Sequence, residues 1–119
     1  MNARELTRAI KLAVYQTAVK GTVATLVRPP GRCPDLDLVT CSEWFNKLKP
    51  EDRDIVVRIV DMSAAQATYN FLLALDGLIA LEPAGPKGKL ELFYNNGKSR
   101  VRLNDEGEEQ LCVLFKERE

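Results

Sequence analysis

Apolar and small residues recur at helical spacing from the start of the chain. Leu6, Ile10, Ala13, Thr17, Gly21 and Ala24 follow at steps of three and four, the period that stacks side chains on one helix face. The spacing predicts a helix over 3–27, with Arg4, Arg8 and Lys11 on its polar side and a stripe of small residues that lets another helix come close. Gly21 weakens it, since glycine costs about 1 kcal/mol relative to alanine in a helix interior. Pro29, Pro30 and Pro34 interrupt the pattern, because proline lacks the backbone N–H and restricts its predecessor. The stretch from Arg28 to Val39 reads as a long loop. Such loops are often contact surfaces, which makes Arg28, Arg32, Asp35 and Asp37 candidate partner-binding residues; the plainer reading is a simple crossover.

Thr40-Cys41-Ser42-Glu43 has the form of a capping box, with Val39 and Trp44 at the staple positions, and predicts a short helix over 41–48. Pro50 suits a first helical position, and Glu51 and Asp52 complement the helix dipole. Ile55, Ile59, Met62, Gln66, Tyr69 and Leu73 then alternate steps of four and three, with Val56, Val60 and Phe71 broadening the apolar surface, predicting a central helix over 50–81. From Met62 to Leu81 the only charged residue is Asp76, so that half is expected to be buried nearly all round. Asp76-Gly77 marks either its end or a break before a last turn through 78–81.

The turn-forming run 83–88 changes the period to two. Leu90, Leu92 and Tyr94, then Val101 and Leu103, predict an antiparallel hairpin of strands 89–95 and 98–103. With Asn96-Gly97 as a two-residue turn, Leu92 faces Val101, Leu90 faces Leu103, Glu91 meets Arg102 and Phe93 lies beside Arg100. Asp105 to Glu108 form a second capping signature, opening a final helix over 106–117 with Leu111, Leu114 and Phe115 inward. The fold class read from these patterns is α+β, helices packed with a small hairpin in a single domain spanning 1–119, without internal repeats.

Composition narrows what such a domain does. The 119 residues are 45% hydrophobic and 29% charged, the mixture of an ordinary globular protein. Lysine plus arginine equals aspartate plus glutamate at 17 each, so no net field draws nucleic acid or an anionic membrane from a distance. Cys33, Cys41 and Cys112 are odd in number and contain no C-x-x-C pair. With no secretory signal at the N-terminus and no long apolar run, a reducing cytoplasm is the expected setting, with no membrane partner.

Histidine is absent, which removes the commonest general base and transition-metal ligand. No Walker A loop, G-x-G-x-x-G, G-x-S-x-G or zinc-spaced cysteine cluster is present. No catalytic residue, metal site or cofactor is therefore expected. Glu51, Asp52 and Asp54 are read as dipole complements rather than a cation site, and Cys41 lacks a histidine to activate it. Asp76 with Tyr69 or Asn70 forms the alternative, a small-ligand or minor enzymatic site, because burial raises a carboxyl pKa; the simpler reading is that Asp76 ends a helix or pairs with a backbone N–H. Arg4, Arg8 and Lys11, and Arg100 and Arg102 beside Phe93 and Tyr94, are the only nucleic-acid signals, and the neutral charge argues against them. Trp44 and Phe45 are adjacent, cannot easily share one core, and are candidate interface aromatics.

The stretch 71–82, together with Lys89-Leu-Glu-Leu-Phe-Tyr94, Arg102-Leu-Asn-Asp105 and the closing Leu-x-x-Leu-Phe, resembles a group of small uncharacterised bacterial proteins. They are similar in style to immunity proteins and phage-encoded inhibitors. The resemblance covers the C-terminal half and implies architecture more than activity. The expected function is that of a non-enzymatic protein that binds a protein partner and neutralises or regulates it. The small-residue stripe and the apolar central helix are also compatible with a homodimer.

Overall fold

Helices dominate the computed structural model, joined by one two-stranded antiparallel sheet, the α+β arrangement that the patterns predict. It describes residues 1–85 and 88–117; Pro86 and Lys87, part of the predicted turn run, lie outside the described residues. The backbone groups into two compact units, Tyr15–Ala65 and Met1–Val14 with Gln66–Glu119.

The first predicted helix is a helical path in three parts: α1 (Ala3–Ile10), a π-helical segment (Lys11–Gln16) and α2 (Thr17–Val27). Asn2 caps its start by accepting the Glu5 N–H at 2.8 Å. A π turn holds an extra residue and rotates everything after it. Ile10, Lys11, Tyr15, Val19, Val23 and Leu26 are half-buried along this path. Ala13, Thr17, Gly21 and Ala24, expected to face another helix, are exposed instead.

Within Tyr15–Ala65, α2 packs against α3 (Leu36–Lys47), which begins five residues before the predicted 41. Asp35 supplies the cap, its Oδ1 accepting the Asp37 N–H at 2.8 Å. Thr40, assigned that role from the sequence, donates its hydroxyl to the Leu36 carbonyl inside the helix at 2.9 Å. An aspartate just after Pro34 captures the free N–H groups first, which shortens the expected loop to 28–35. Tyr15 donates its hydroxyl to Asp61. This bond is the main cause that raises the Tyr15 pKa, followed by burial.

The long helix α4 spans Pro50–Leu75 and stops six residues before the predicted 81. Gly77, at φ +75°, donates to the Ala74 carbonyl at 3.1 Å, and Leu78 donates to that of Leu73 at 2.9 Å. This pair of bonds is a Schellman motif, so Asp76-Gly77 ends the helix and 78–81 is not helical.

In the second unit, β1 (Phe93–Asn95) and β2 (Arg100–Arg102) pair with Phe93 opposite Arg102, Tyr94 opposite Val101 and Asn95 opposite Arg100. The predicted register is displaced by two residues. A type I′ turn needs positive φ at both central residues, yet only Gly97 has it, at +85°. The two-residue connection therefore moves to Gly97-Lys98, with the Asn96 N–H donating to the Ser99 carbonyl and Asn96 Oδ1 accepting from Lys98 and Ser99. A shift of two keeps every side chain on its predicted face. Arg100 still covers the Phe93 ring, 4.0 Å from its centroid.

The last helix, α5 (Leu111–Lys116), starts later than the predicted 106, because Asp105 and Glu108 close a tight turn instead. It packs on α1. Its own Leu111, Cys112, Leu114 and Phe115 are buried, as are Leu72 and Leu103 of the same unit.

Candidate functional site

α4 carries two apolar stripes on opposite sides. Val56, Val60 and Ala64 recur at steps of four and are half-buried, as is Val57. The other stripe, Ile55, Ile59 and Met62, also belongs to the predicted apolar surface and is 52%, 58% and 68% exposed. The half-buried set is made of valine and alanine, and the bulkier isoleucine and methionine side chains are turned out. Three large apolar side chains along about 10 Å of helix form a connected surface, unlike the single exposed leucine that any protein tolerates.

The adjacent aromatics of α3 separate cleanly. Phe45 is 3% exposed and lies beneath the Arg53 guanidinium, 5.8 Å from the ring centroid, so it serves the core and offers no contact surface. Trp44 is 56% exposed. One helical face of α3 thus presents Leu36, Thr40 and Trp44 to solvent. Arg53 also donates to the Asn46 carbonyl, while its buried Nε has no hydrogen-bond partner among the described residues.

The remaining loop candidates are spread out. Arg28 ends α2 with its N–H on the Ala24 carbonyl, Arg32 is exposed in the loop, Asp35 is engaged as the α3 cap, and Asp37 is exposed in the first turn.

Tyr69, Asn70 and Asp76 have three different partners. Lys116 Nζ stands 4.5 Å over the Tyr69 ring centroid, Asn70 accepts from Gln66 at 2.9 Å, and Asp76 receives the backbone N–H groups of Leu111 and Cys112 at 2.9 and 2.8 Å. Gln110, the residue at the cap position of α5, makes no side-chain cap bond, and Asp76 takes its place from 34 residues earlier in the chain. Burial, then the hydrogen bond to Asp76, push the Cys112 thiol up to about 11, which keeps it protonated and unreactive.

Asn104 went unnoticed in the sequence. Buried beside Leu103, it donates Nδ2 to the carbonyls of Leu75 and Leu90 at 2.6 and 2.7 Å, while its Oδ1 accepts the Leu92 N–H at 2.9 Å. Its carboxamide thus stands in for a strand's peptide group beside 90–92 and also satisfies the last turn of α4. The Leu-Asn-Asp step was visible, but nothing local indicates which distant backbone groups an asparagine will meet.

The basic stripe of α1 is largely engaged. Arg4 bridges Glu109 and Glu117 at 2.8 Å each, and Lys11 donates to the Glu117 carbonyl. No helix among the described residues is long and apolar enough to cross a membrane. No protein-family model, curated protein or solved structure matches the chain.

Proposed function

We propose that this protein works by binding a protein partner through the exposed apolar faces of α4 and α3, as a neutralising or regulatory protein rather than a catalyst. The observation that carries the reading is the outward Ile55–Ile59–Met62 stripe. Leaving these groups in water forgoes roughly 25 cal/mol for each Å² of apolar surface, and a partner that covers them recovers that free energy. Trp44 adds the residue type most enriched among interface anchors. The absence of histidine from the sequence supports a role in recognition, and Asp76 is occupied with capping α5.

The test is affinity capture from the native host with the wild-type chain, Ile59→Asp and Trp44→Ala, each first shown to be folded by circular dichroism. A stoichiometric protein retained by the wild type and lost by both variants supports the reading. Capture that is indifferent to both substitutions, or no captured protein from a folded wild-type chain, overturns it.

A further inference from the structure

Beyond partner binding, and independent of it, the second unit contains a cleft of about 520 Å³ between the C-terminal turn of α4, the segments 78–82 and 88–90, and the end of β2. That volume lies in the range of small-molecule sites. Leu78, Leu81 and Leu90 line it and are all exposed.

The charged residues along the cleft differ in how far they are already engaged. Asp76 holds the two N–H groups of α5. Glu82 accepts the Gly88 N–H at 3.0 Å, and Glu106 is paired with Lys89 at 2.6 Å. Asn104 has both its donor and acceptor atoms committed to backbone. Arg102 is the least engaged: its Nε makes a long 3.4 Å bond to Asn104 Oδ1 and its charge, after that of Lys89, helps to lower the Glu106 pKa, but its two terminal amino groups have no hydrogen-bond partner among the described residues. A half-buried guanidinium with a vacant fork beside leucine side chains matches a planar anion attached to an apolar body.

We propose that this cleft binds a small amphipathic carboxylate, its two oxygens on the terminal amino groups of Arg102 and its hydrocarbon against Leu78, Leu81 and Leu90. Of the three acids, Glu106 is offset by Lys89, and Asp76 and Glu82 have oxygens turned to backbone N–H groups, which leaves Arg102 as the group that attracts the anion. The fork geometry selects carboxylate over a spherical halide, and the leucines select an alkyl chain over acetate.

Octanoate is the probe, with octanol as its uncharged counterpart, followed by amide chemical shifts of the full-length protein. Octanoate is expected to shift the amides of Leu78, Leu90 and Arg102 saturably and to bind about tenfold or more tightly than octanol. Arg102→Gln should lose that preference, Arg102→Lys should recover only part of it, and Leu81→Ser should weaken both probes. Unchanged spectra would confirm that each variant is folded. Equal binding of octanol and octanoate, undiminished binding by Arg102→Gln, or no saturable shift overturns the proposal. So does binding confined to a leucine-ended peptide with a free C-terminus, which would make the site a peptide groove.

Discussion

Asp76 and Cys112 meet at the start of α5, where the carboxylate receives the Cys112 backbone N–H at 2.8 Å and, after burial, is the second cause that raises the Cys112 thiol pKa. With the Leu111 N–H on its other oxygen at 2.9 Å, Asp76 ends α4 and begins α5 at once. Hydrogen bonds to charged groups contribute about 1.5–3 kcal/mol each. Asp76→Ala is therefore expected to destabilise the protein by about 2 kcal/mol or more in urea unfolding, and Asp76→Asn, which keeps one acceptor, by about half as much. No change in either midpoint would show that α5 needs no distant cap.

The same contact sets a pH dependence. The folded thiol titrates at about 11 against an ordinary 9.0, so the fold binds this proton more tightly than the unfolded chain does. Its contribution is fully present below pH 9 and is lost between 9 and about 11. Tyr15, raised above its ordinary 10.0 by Asp61, extends the decline upward. Unfolding midpoints from pH 7 to 11 should fall across that window, and less steeply in Cys112→Ala. At pH 8, an aromatic disulfide reagent should modify the exposed Cys33 and Cys41 quickly and Cys112 only as fast as the protein opens.

Asn104 is expected to be among the least replaceable polar residues. Asn104→Leu keeps the volume but strands the Leu75 and Leu90 carbonyls and the Leu92 N–H, each a loss of about 1–3 kcal/mol where water cannot enter. A drop of at least about 2 kcal/mol in calorimetry is the expected result, with amide exchange accelerating first at Leu92 and Leu103.

Phe45 and Trp44 should respond oppositely. Phe45→Ala removes a buried ring and the surface beneath Arg53, at a cost of about 3–5 kcal/mol. Trp44→Ala should leave stability within about 0.5 kcal/mol while weakening partner capture. Equal destabilisation by the two would mean that Trp44 is packed rather than presented.

The helical period located α4 and its Pro50 start because caps and spacing are local signals. It merged Ile55, Ile59 and Met62 with Val56, Val60 and Phe71 into one broad apolar surface, of which only Val56 and Val60 are half-buried, because periodicity alone does not say which part of a wide apolar surface is covered. The register of the hairpin was misplaced for a related reason: Asn96-Gly97 suits a tight turn, but a shift of two keeps the same faces, so face chemistry does not discriminate between the two pairings. Asp35 displaced Thr40 as the cap of α3 because two capping residues competed within five positions. Asp76 showed its chemistry as a lone acid in an apolar run, whereas its partner, the start of α5, is a tertiary fact. The cleft was beyond reach, since its walls come from segments that pattern described only as helix end, turn and strand.

The most direct test of partner binding through α4 is photo-crosslinking in the native host, with a light-activated residue at position 59, at 62, or at the exposed Lys20 of α2 as control. A discrete adduct from positions 59 and 62, absent from position 20, is the predicted result. No adduct from a folded chain, or the same adducts from all three positions, would contradict a partner seated on the Ile55–Ile59–Met62 face.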